Sequence, residues 1–345
     1  MLSNKKIIVY GGYGHTGRFV LAELIKRGLT PISSGRDLDK LGEISKKYSG
    51  LEIRQASVEE PESLDRAIAG AEAVINCAGP FAKTTAPLIE AALRAKIPYL
   101  GVAAEVEAVS DAFTLFGDKA EKAGIVILPS VAFYGGLGDL LATTAMGDWQ
   151  RADEISLAIA LSSWKPTLGT RNSGKVSRQR RDDRRIVFTN GQIEYRTDDA
   201  PISEWTFPLP FGTQTVVGEF TTADSITIPA HLSVSQLNTY MTLAALKDLS
   251  DPDLSPPPAV DESGRSAQTF LVEAIVRLGN AERRAVASGR DIYAVSAPLV
   301  VEAAERLINA QNANSGVFAV GEIFDPRDFL NSLNPEYLLL EITQK

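Results

Sequence analysis

The sequence predicts an α/β fold: a doubly wound, mainly parallel sheet, with a second α+β domain built on a mostly antiparallel sheet. Three observations predict it. Residues 1–130 alternate short apolar runs with helix-spaced segments, and a glycine-rich turn follows the first of those runs. Further along, Asn190-Gly191 separates two alternating segments, the strongest short hairpin signal.

Lys6–Tyr10 opens the series, with Ile7-Ile8-Val9 reading as a buried strand. Gly11-Gly12-Tyr13-Gly14-His15-Thr16-Gly17 follows at once, and Arg18–Arg27 has helical spacing, with Phe19, Leu21, Leu24 and Ile25 apolar. Strand, glycine turn and helix in that order form the context of a dinucleotide fingerprint, as in Rossmann domains. Gly12 permits the tight turn, Gly14 lets the backbone approach a pyrophosphate, and Gly17 lets helix and strand pack closely. The helix start offers unpaired N–H groups and a positive dipole end to the phosphates.

The second strand selects the cofactor. After a helix stop at Gly28, Thr30-Pro31-Ile32-Ser33-Ser34 runs into Gly35-Arg36-Asp37. A binder of the unphosphorylated dinucleotide places a carboxylate about twenty positions past the glycines, on the ribose 2′-hydroxyl. Ser34-Gly35-Arg36 stands there instead, and a guanidinium suits a 2′-phosphate as a bidentate partner. Ser33 or Ser34 adds a hydroxyl. NADP is therefore the expected cofactor. Asp37 fits better as the N-cap of the helix containing Leu38 and Leu41.

Leu51–Ala56 reads as a third strand and Val58–Ala69 as a helix, with Ser57 placed to meet the adenine end. Ala73-Val74-Ile75-Asn76 and its exit Cys77-Ala78-Gly79-Pro80-Phe81 form the fourth strand. Small residues at the carboxyl end of a central strand leave room for ribose and nicotinamide. Cys77 itself reads as a small buried hydrophobe rather than a nucleophile. Thr84–Ala95 is helical, Pro98–Val102 a fifth strand, Phe113–Ala123 a helix stopped by Gly124, and Ile125–Pro129 a sixth strand.

Composition narrows the function classes. A net charge of −8 and a pI near 5.1 argue against a nucleic-acid partner. One cysteine allows no internal disulfide, and two histidines, His15 and His231, leave little for a metal site, so no metal is expected. No apolar run approaches the ~18 residues of a membrane span. Met1–Lys6 leads straight into a strand, so no signal peptide and a cytoplasmic location are expected.

The glycine turn, Asn76–Phe81, the segment from Tyr99 to Glu105, Phe133-Tyr134-Gly135-Gly136-Leu137-Gly138-Asp139-Leu140 and Gly316–Glu322 together resemble the saccharopine dehydrogenase-like oxidoreductases. The likeness spans nearly the whole chain, strongest before residue 145. It implies an NAD(P)-binding domain over 1–130, a substrate and dimerisation domain over 131–315, and a segment 316–345 returning to the first. A homodimer is expected with it. Gly101 stands where the amino-acid-forming members carry an aspartate, which argues against saccharopine as substrate.

In the second part, Gly138–Thr143 opens a helix and Glu154–Leu161 alternates into a strand. Arg185–Thr189 and Gln192–Tyr195 form the Asn190-Gly191 hairpin, and Val216–Phe220 and Ser225–Ile228 read as strands. Leu237–Leu249 reads as a helix. Phe270–Leu278 and Arg283–Ala287 pair across Gly279-Asn280, and the antiparallel sheet that includes Phe270–Leu278 is expected to present a face or edge to a second copy. Ser296 caps a long helix with Pro298 in its first turn. Between these lies a basic loop, Arg171, Lys175, Arg178, Arg180, Arg181, Arg184 and Arg185, suited to a carboxylate, a phosphate or an acidic carrier surface, or simply solvated.

Hydride transfer needs orientation, exclusion of water and a proton source. Tyr134, His231 and Lys165 are the candidates, with Tyr99 behind them, and no Tyr-x-x-x-Lys pair stands where a short-chain dehydrogenase carries one. The expected activity is NADPH-dependent reduction of a C=N, C=O or activated C=C bond in a small or carrier-bound metabolite. A non-catalytic NADP-binding sensor or scaffold is the alternative.

Overall fold

The structure is a computed structural model and describes residues 5–309 and 314–344. Met1–Asn4, on which the expected lack of a signal peptide rests, lie outside the described residues. In the first part, strands and helices alternate as β1 (Lys6–Tyr10), α1 (His15–Lys26), β2 (Thr30–Gly35), α2 (Leu38–Lys47), β3 (Glu52–Gln55) and α3 (Pro61–Ile68). They continue as β4 (Ala73–Asn76), α4 (Phe81–Ala95), β5 (Tyr99–Gly101), α5 (Val106–Ala123) and β6 (Val126–Leu128). These strands are parallel, and Gly316–Val317 extends the sheet beside β6, giving seven strands. The spatial order from that end is β6, β5, β4, β1, β2, β3, so chain order reverses between β4 and β1. Ile7, Ile8 and Val9 are fully buried because helices cover both faces of a parallel sheet. The Asp37 carboxylate caps α2, accepting from Lys40 N at 3.1 Å.

The second part begins with the turn Phe133–Leu137, then α6 (Gly138–Met146), β7 (Ala152–Leu161), α7 (Leu168–Arg180), β8 (Arg185–Thr189) and β9 (Gln192–Arg196). Next come β10 (Ile202–Thr206), β11 (Thr213–Gly218), α8 (Asp224–His231), β12 (Val234–Thr242) and α9 (Leu243–Ser250). β13 (Thr269–Leu278), β14 (Ala281–Arg290), α10 (Ser296–Asn309), β15 (Gly316–Val317), α11 (Val320–Ile323), α12 (Pro326–Leu333) and β16 (Leu338–Gln344) complete it. β10, β11, β12, β7, β13, β14 and β16 lie in that order, with β8 and β9 attached to β12, in a nine-stranded sheet. Only the β12–β7 pair among these is parallel. Asn190 and Gly191 turn β8 into β9 with φ of +52° and +75°, the left-handed pair that a two-residue hairpin requires.

Several elements differ from the sequence reading. Ser225–Ile228 is helix α8, not a strand: its β-branched residues are buried against α5, α6 and the Phe133–Leu137 turn, and that packing overrides propensity. Leu237–Leu249 is not one helix. Leu237, Thr239 and Met241 are buried on alternate positions of β12, and the helix starts only at Leu243. The basic stretch is not a loop but mostly α7. Phe270–Leu278 lies in β13, between β7 and β14, so it offers no free edge to a second copy. Segment 316–345 divides: Phe318 N bonds Ile127 O at 3.0 Å beside the first sheet, while β16 joins the second.

One apolar core runs through both parts, from Ile7 and Leu24 to Phe270 and Leu299. Arg27 ties α1 to α10, bonding Glu23 at 2.8 Å and Glu302 at 2.5 Å in a half-buried setting.

Candidate cofactor and substrate site

The glycine turn sits at the carboxyl end of β1, where strand order reverses and ligands bind in open α/β sheets. Gly11, at φ +81°, lies so close to the β4 exit that a Cβ would stand 2.9 Å from Ala78 Cβ. A Cβ on Gly17 would meet Gly11 O at 2.3 Å, so this position closes helix onto turn. On Gly12 it would meet Ser33 Oγ at 2.5 Å. Gly14 stands at the N-cap of α1 with no side chain to satisfy the helix's first N–H groups, which leaves them for an anion. Ser33 Oγ, Ser34 Oγ and His15 Nε2 are buried without a hydrogen-bond partner. Open helix N–H groups, a backbone with no Cβ, and orphaned hydroxyls at the β2 end fit a nicotinamide dinucleotide.

The other candidates surround this turn. The Tyr13 ring covers Gly35, where a Cβ would lie 2.6 Å from Tyr13 Cε1, and Tyr13 O accepts from Arg18 Nε at 3.0 Å. Thr16 belongs to the first turn of α1. Arg36 is exposed just past β2, and its carbonyl accepts from Gln55 Nε2 at 3.0 Å. The Ser57 hydroxyl accepts from Glu59 N at 3.3 Å, at the far end of the same edge.

The β4 exit is set by buried Asn76. Its side chain donates to Thr84 Oγ1 at 3.0 Å and to Tyr99 OH at 3.1 Å, and accepts from Ala78 N at 3.0 Å, fixing the course of Cys77–Phe81. Burial pushes the Tyr99 hydroxyl up to about 12, so it stays a neutral anchor. Burial also pushes the Cys77 thiol up, consistent with a packing role. Pro80 precedes α4, and Glu105 binds the N–H groups of Phe81 at 2.6 Å and Ala82 at 2.9 Å. That carboxylate at a helix N-terminus explains why α4 begins at Phe81. Burial raises its pKa against these bonds and one from Ser173 of α7. A Cβ on Gly79 would lie 2.5 Å from Ser173 Oγ, so α7 reaches over the β4 end.

Beyond it stands a group of rings. Tyr134 stacks on Trp164 at 5.5 Å between centroids, and Phe220 meets both edges at 6.4 and 6.1 Å. Tyr134 is 8 % exposed, its hydroxyl has no partner, and burial holds its pKa well above the usual phenol value. Lys165, half-buried, follows Trp164 directly. Tyr293 connects this end to the glycine turn: its ring meets His15 edge-on at 5.1 Å, and its hydroxyl pairs with Thr170 Oγ1 at 2.9 Å. Burial lowers the His15 pKa, which keeps the ring neutral.

His231 has other partners. Its Nε2 pairs with Asp139 Oδ1 at 2.7 Å, and Asp139 Oδ2 accepts from Gly321 N at 2.7 Å, so the pair joins α8, α6 and α11. Burial pulls the His231 pKa down, but the adjoining carboxylate outweighs it and the net shift is upward. Asp224, fully buried, accepts from Thr222 Oγ1 at 2.9 Å, and burial raises its pKa to about 6. The structure thus brings Phe81, Cys77–Pro80 and the glycine turn to one sheet end, joins Tyr134 to the Trp164-Lys165 segment, and gives His231 a separate network. Sequence reasoning missed Tyr293, Ser173, Phe220 and Asp224. None of the four belongs to a motif.

Known proteins share this geometry. A NAD(P)H-binding family model matches residues 11–119, from the glycine turn into α5. The N-terminal part is thus similar to NAD(P)H-binding domains. The chain is also similar to saccharopine dehydrogenase-like oxidoreductases. The probable mitochondrial one of Arabidopsis thaliana is 27 % identical over 142 residues, 37 % of this chain and 31 % of that protein. The human one is 26 % identical over 145 residues, 37 % of this chain and 34 % of the relative. The matched part therefore spans about a third of the length of these relatives. Apo saccharopine dehydrogenase (L-Glu forming) from Saccharomyces cerevisiae has the same fold, with a TM-score of 0.64 over 98 % of this chain and 100 % of that one. At 12 % identity the likeness is one of fold. The α/β sheet with a second, mixed-sheet part is thus shared across the full length. No described helix is long and apolar enough to cross a membrane.

Proposed function

We propose that the protein is an NADPH-dependent oxidoreductase acting on a C=N, C=O or activated C=C bond of a small or carrier-bound metabolite. The observation that carries this reading is the glycine turn at the strand-order reversal of the first sheet, with rings and a helix of the second part placed over the same end. Bound there, the cofactor supplies a hydride. The turn Gly11–Gly17 and the start of α1 hold pyrophosphate, Arg36 with Ser34 grips the 2′-phosphate, and Ser57 borders the adenine. Cys77-Ala78-Gly79-Pro80-Phe81 seats the nicotinamide end, positioned by Asn76 and Glu105. Tyr134, whose hydroxyl is buried without a partner beside Trp164, is the residue that gives a proton to the reduced substrate. Lys165 borders the same space, and His231 positions α6 and α8 through Asp139. A homodimer belongs to the proposal, supported by the exposed Ile202 and Leu339 on the outer strands β10 and β16.

The close packing of Tyr134 on Trp164 and Phe220 favours a second reading, an NADP-binding sensor or scaffold without turnover. The test is a calorimetric titration with NADPH and NADH, followed by nicotinamide absorbance during incubation with ketones, imines and enones. NADPH-selective binding with consumption supports the enzyme. Selective binding with no consumption across all three substrate classes supports the scaffold, and equal affinities for both cofactors overturn the NADPH assignment.

A further inference from the structure

We infer that α7 is a lid over the nicotinamide end of the cleft, latched to α5 by polar contacts, and that Glu105 is the positioning residue joining lid to cofactor turn. What the lid covers rests on the function proposed above; whether it opens does not. Of the thirteen residues of α7 only Ser177 is buried. Its apolar side chains are Val176, half-buried, and Leu168, 71 % exposed, so it lacks the stripe that holds a helix by packing.

What holds it is polar and regularly spaced. Ser173, Ser177 and Arg181 follow at successive helical turns and face α5. Ser173 lies beside the Glu105 carboxylate. Ser177 Oγ donates to Glu107 Oε2 at 2.6 Å, Arg181 reaches Glu107 Oε1 at 3.2 Å, and Arg180 reaches Asp111 at 2.8 Å. The opposite end is fixed to the second part: Thr167 N donates to Tyr293 OH at 3.3 Å, and Arg171 donates to the carbonyls of Asp251 at 2.8 Å and Leu254 at 3.0 Å. One end is therefore a hinge and the other a latch. Ion pairs near the surface hold weakly and are screened by salt.

The latch lies over the site. With Ser173 Oγ 2.5 Å from where a Gly79 Cβ would stand, α7 covers that side of Gly79. Glu105 holds Phe81 N and Ala82 N and lies beside Ser173, so this carboxylate stands between the turn and α7. Arg171, Arg180 and Arg181 act here as rungs.

Hydrogen exchange read by mass spectrometry on the intact chain tests this. Peptides covering 168–180 should exchange at least about tenfold faster than those of α4 and α5. Raising NaCl from about 0.05 M to about 0.5 M should speed α7 alone, and Arg180→Ala should do the same by roughly 1.5- to 5-fold. Glu105→Ala should release α7 selectively, and Glu105→Gln, whose single amide oxygen can accept from only one of Phe81 N and Ala82 N, should release it less. A purely structural Glu105 would instead speed exchange throughout the first sheet. NADPH should bind faster to Arg180→Ala in stopped flow. Protection of α7 equal to that of α5 at both salt concentrations overturns the lid, and so does NADPH association unchanged by Arg180→Ala. If calorimetry detects no NADPH binding at all, the proposed function fails while exchange in α7 still decides whether the helix opens.

Discussion

The two ends of the cleft are built on different terms. The cofactor end is made of backbone: glycines held against Ala78, Ser33 and Gly11 O, and an uncapped helix start, all within about a hundred consecutive residues. The proposed substrate end is made of side chains from four distant stretches, Tyr134, Trp164, Phe220 and Tyr293, with α7 joined to it through Thr170 and Tyr293. Backbone geometry is preformed and tolerates no added Cβ, so binding there is rigid. The aromatic end owes its shape to side chains packed on one another, Tyr134, Trp164 and Phe220, with α7 attached through Thr170 and Tyr293.

Four outcomes break or sharpen that contrast. The largest belongs to the substrate end: Tyr134→Phe should lower turnover by about 10²–10⁴-fold, measured as NADPH consumption, with NADPH affinity intact. Unchanged turnover would remove the tyrosine from the chemistry.

Next comes Asp224, beneath the same end. Its pKa rises from 3.8 to about 6 in the folded protein, so its ionised form is penalised there. The penalty is absent below pH 3.8, grows as pH rises toward about 6, and is complete above it. Asp224→Asn should therefore gain on the unmutated chain by up to roughly 3 kcal/mol between pH 4 and 7, read by urea unfolding. A difference independent of pH would show that Asp224 is not penalised.

At the cofactor end, Arg36→Ala should weaken NADPH by on the order of 2 kcal/mol and leave NADH nearly unchanged in calorimetry. Loss of both alike would place Arg36 outside the phosphate site. The smallest effect concerns His231, whose raised pKa means that its pairing with Asp139 stabilises the fold below pH 6.5 and fades as pH rises through the folded value. His231→Gln should cost about 1–2 kcal/mol at pH 5.5 and less at pH 8.5, by thermal unfolding. An equal cost at both would contradict a charged pair.

Legibility follows locality. The Asp37 cap, the Asn190-Gly191 hairpin and the glycine turn are encoded within a few residues, and each can be read from the amino-acid sequence alone. The fold class is legible for the same reason, since its signals are short apolar runs between helix-spaced segments. Positions that depend on distant contacts are not. Ser225–Ile228 has strand-forming residues but is a helix because of what surrounds it, and Leu237–Leu249 blends a buried alternation into a helix. The stretch from Arg171 reads as a free basic loop because its acids lie on α5, some seventy residues earlier in the chain. Glu105 is visible in its motif, but its hold on Phe81 and Ala82 is a tertiary fact. Tyr293 belongs to no motif and reaches the site only through the fold.

The most direct test of the whole account is a crystal structure with NADP⁺ bound. The account predicts pyrophosphate on Gly11–Gly17, the 2′-phosphate within hydrogen-bond reach of Arg36, and the nicotinamide over Gly79–Phe81 on the side of Tyr134, with α7 displaced from Glu105. A nicotinamide lying away from Phe81 and Tyr134, or a dinucleotide bound with α7 still closed on Glu105 and Gly79, would contradict it.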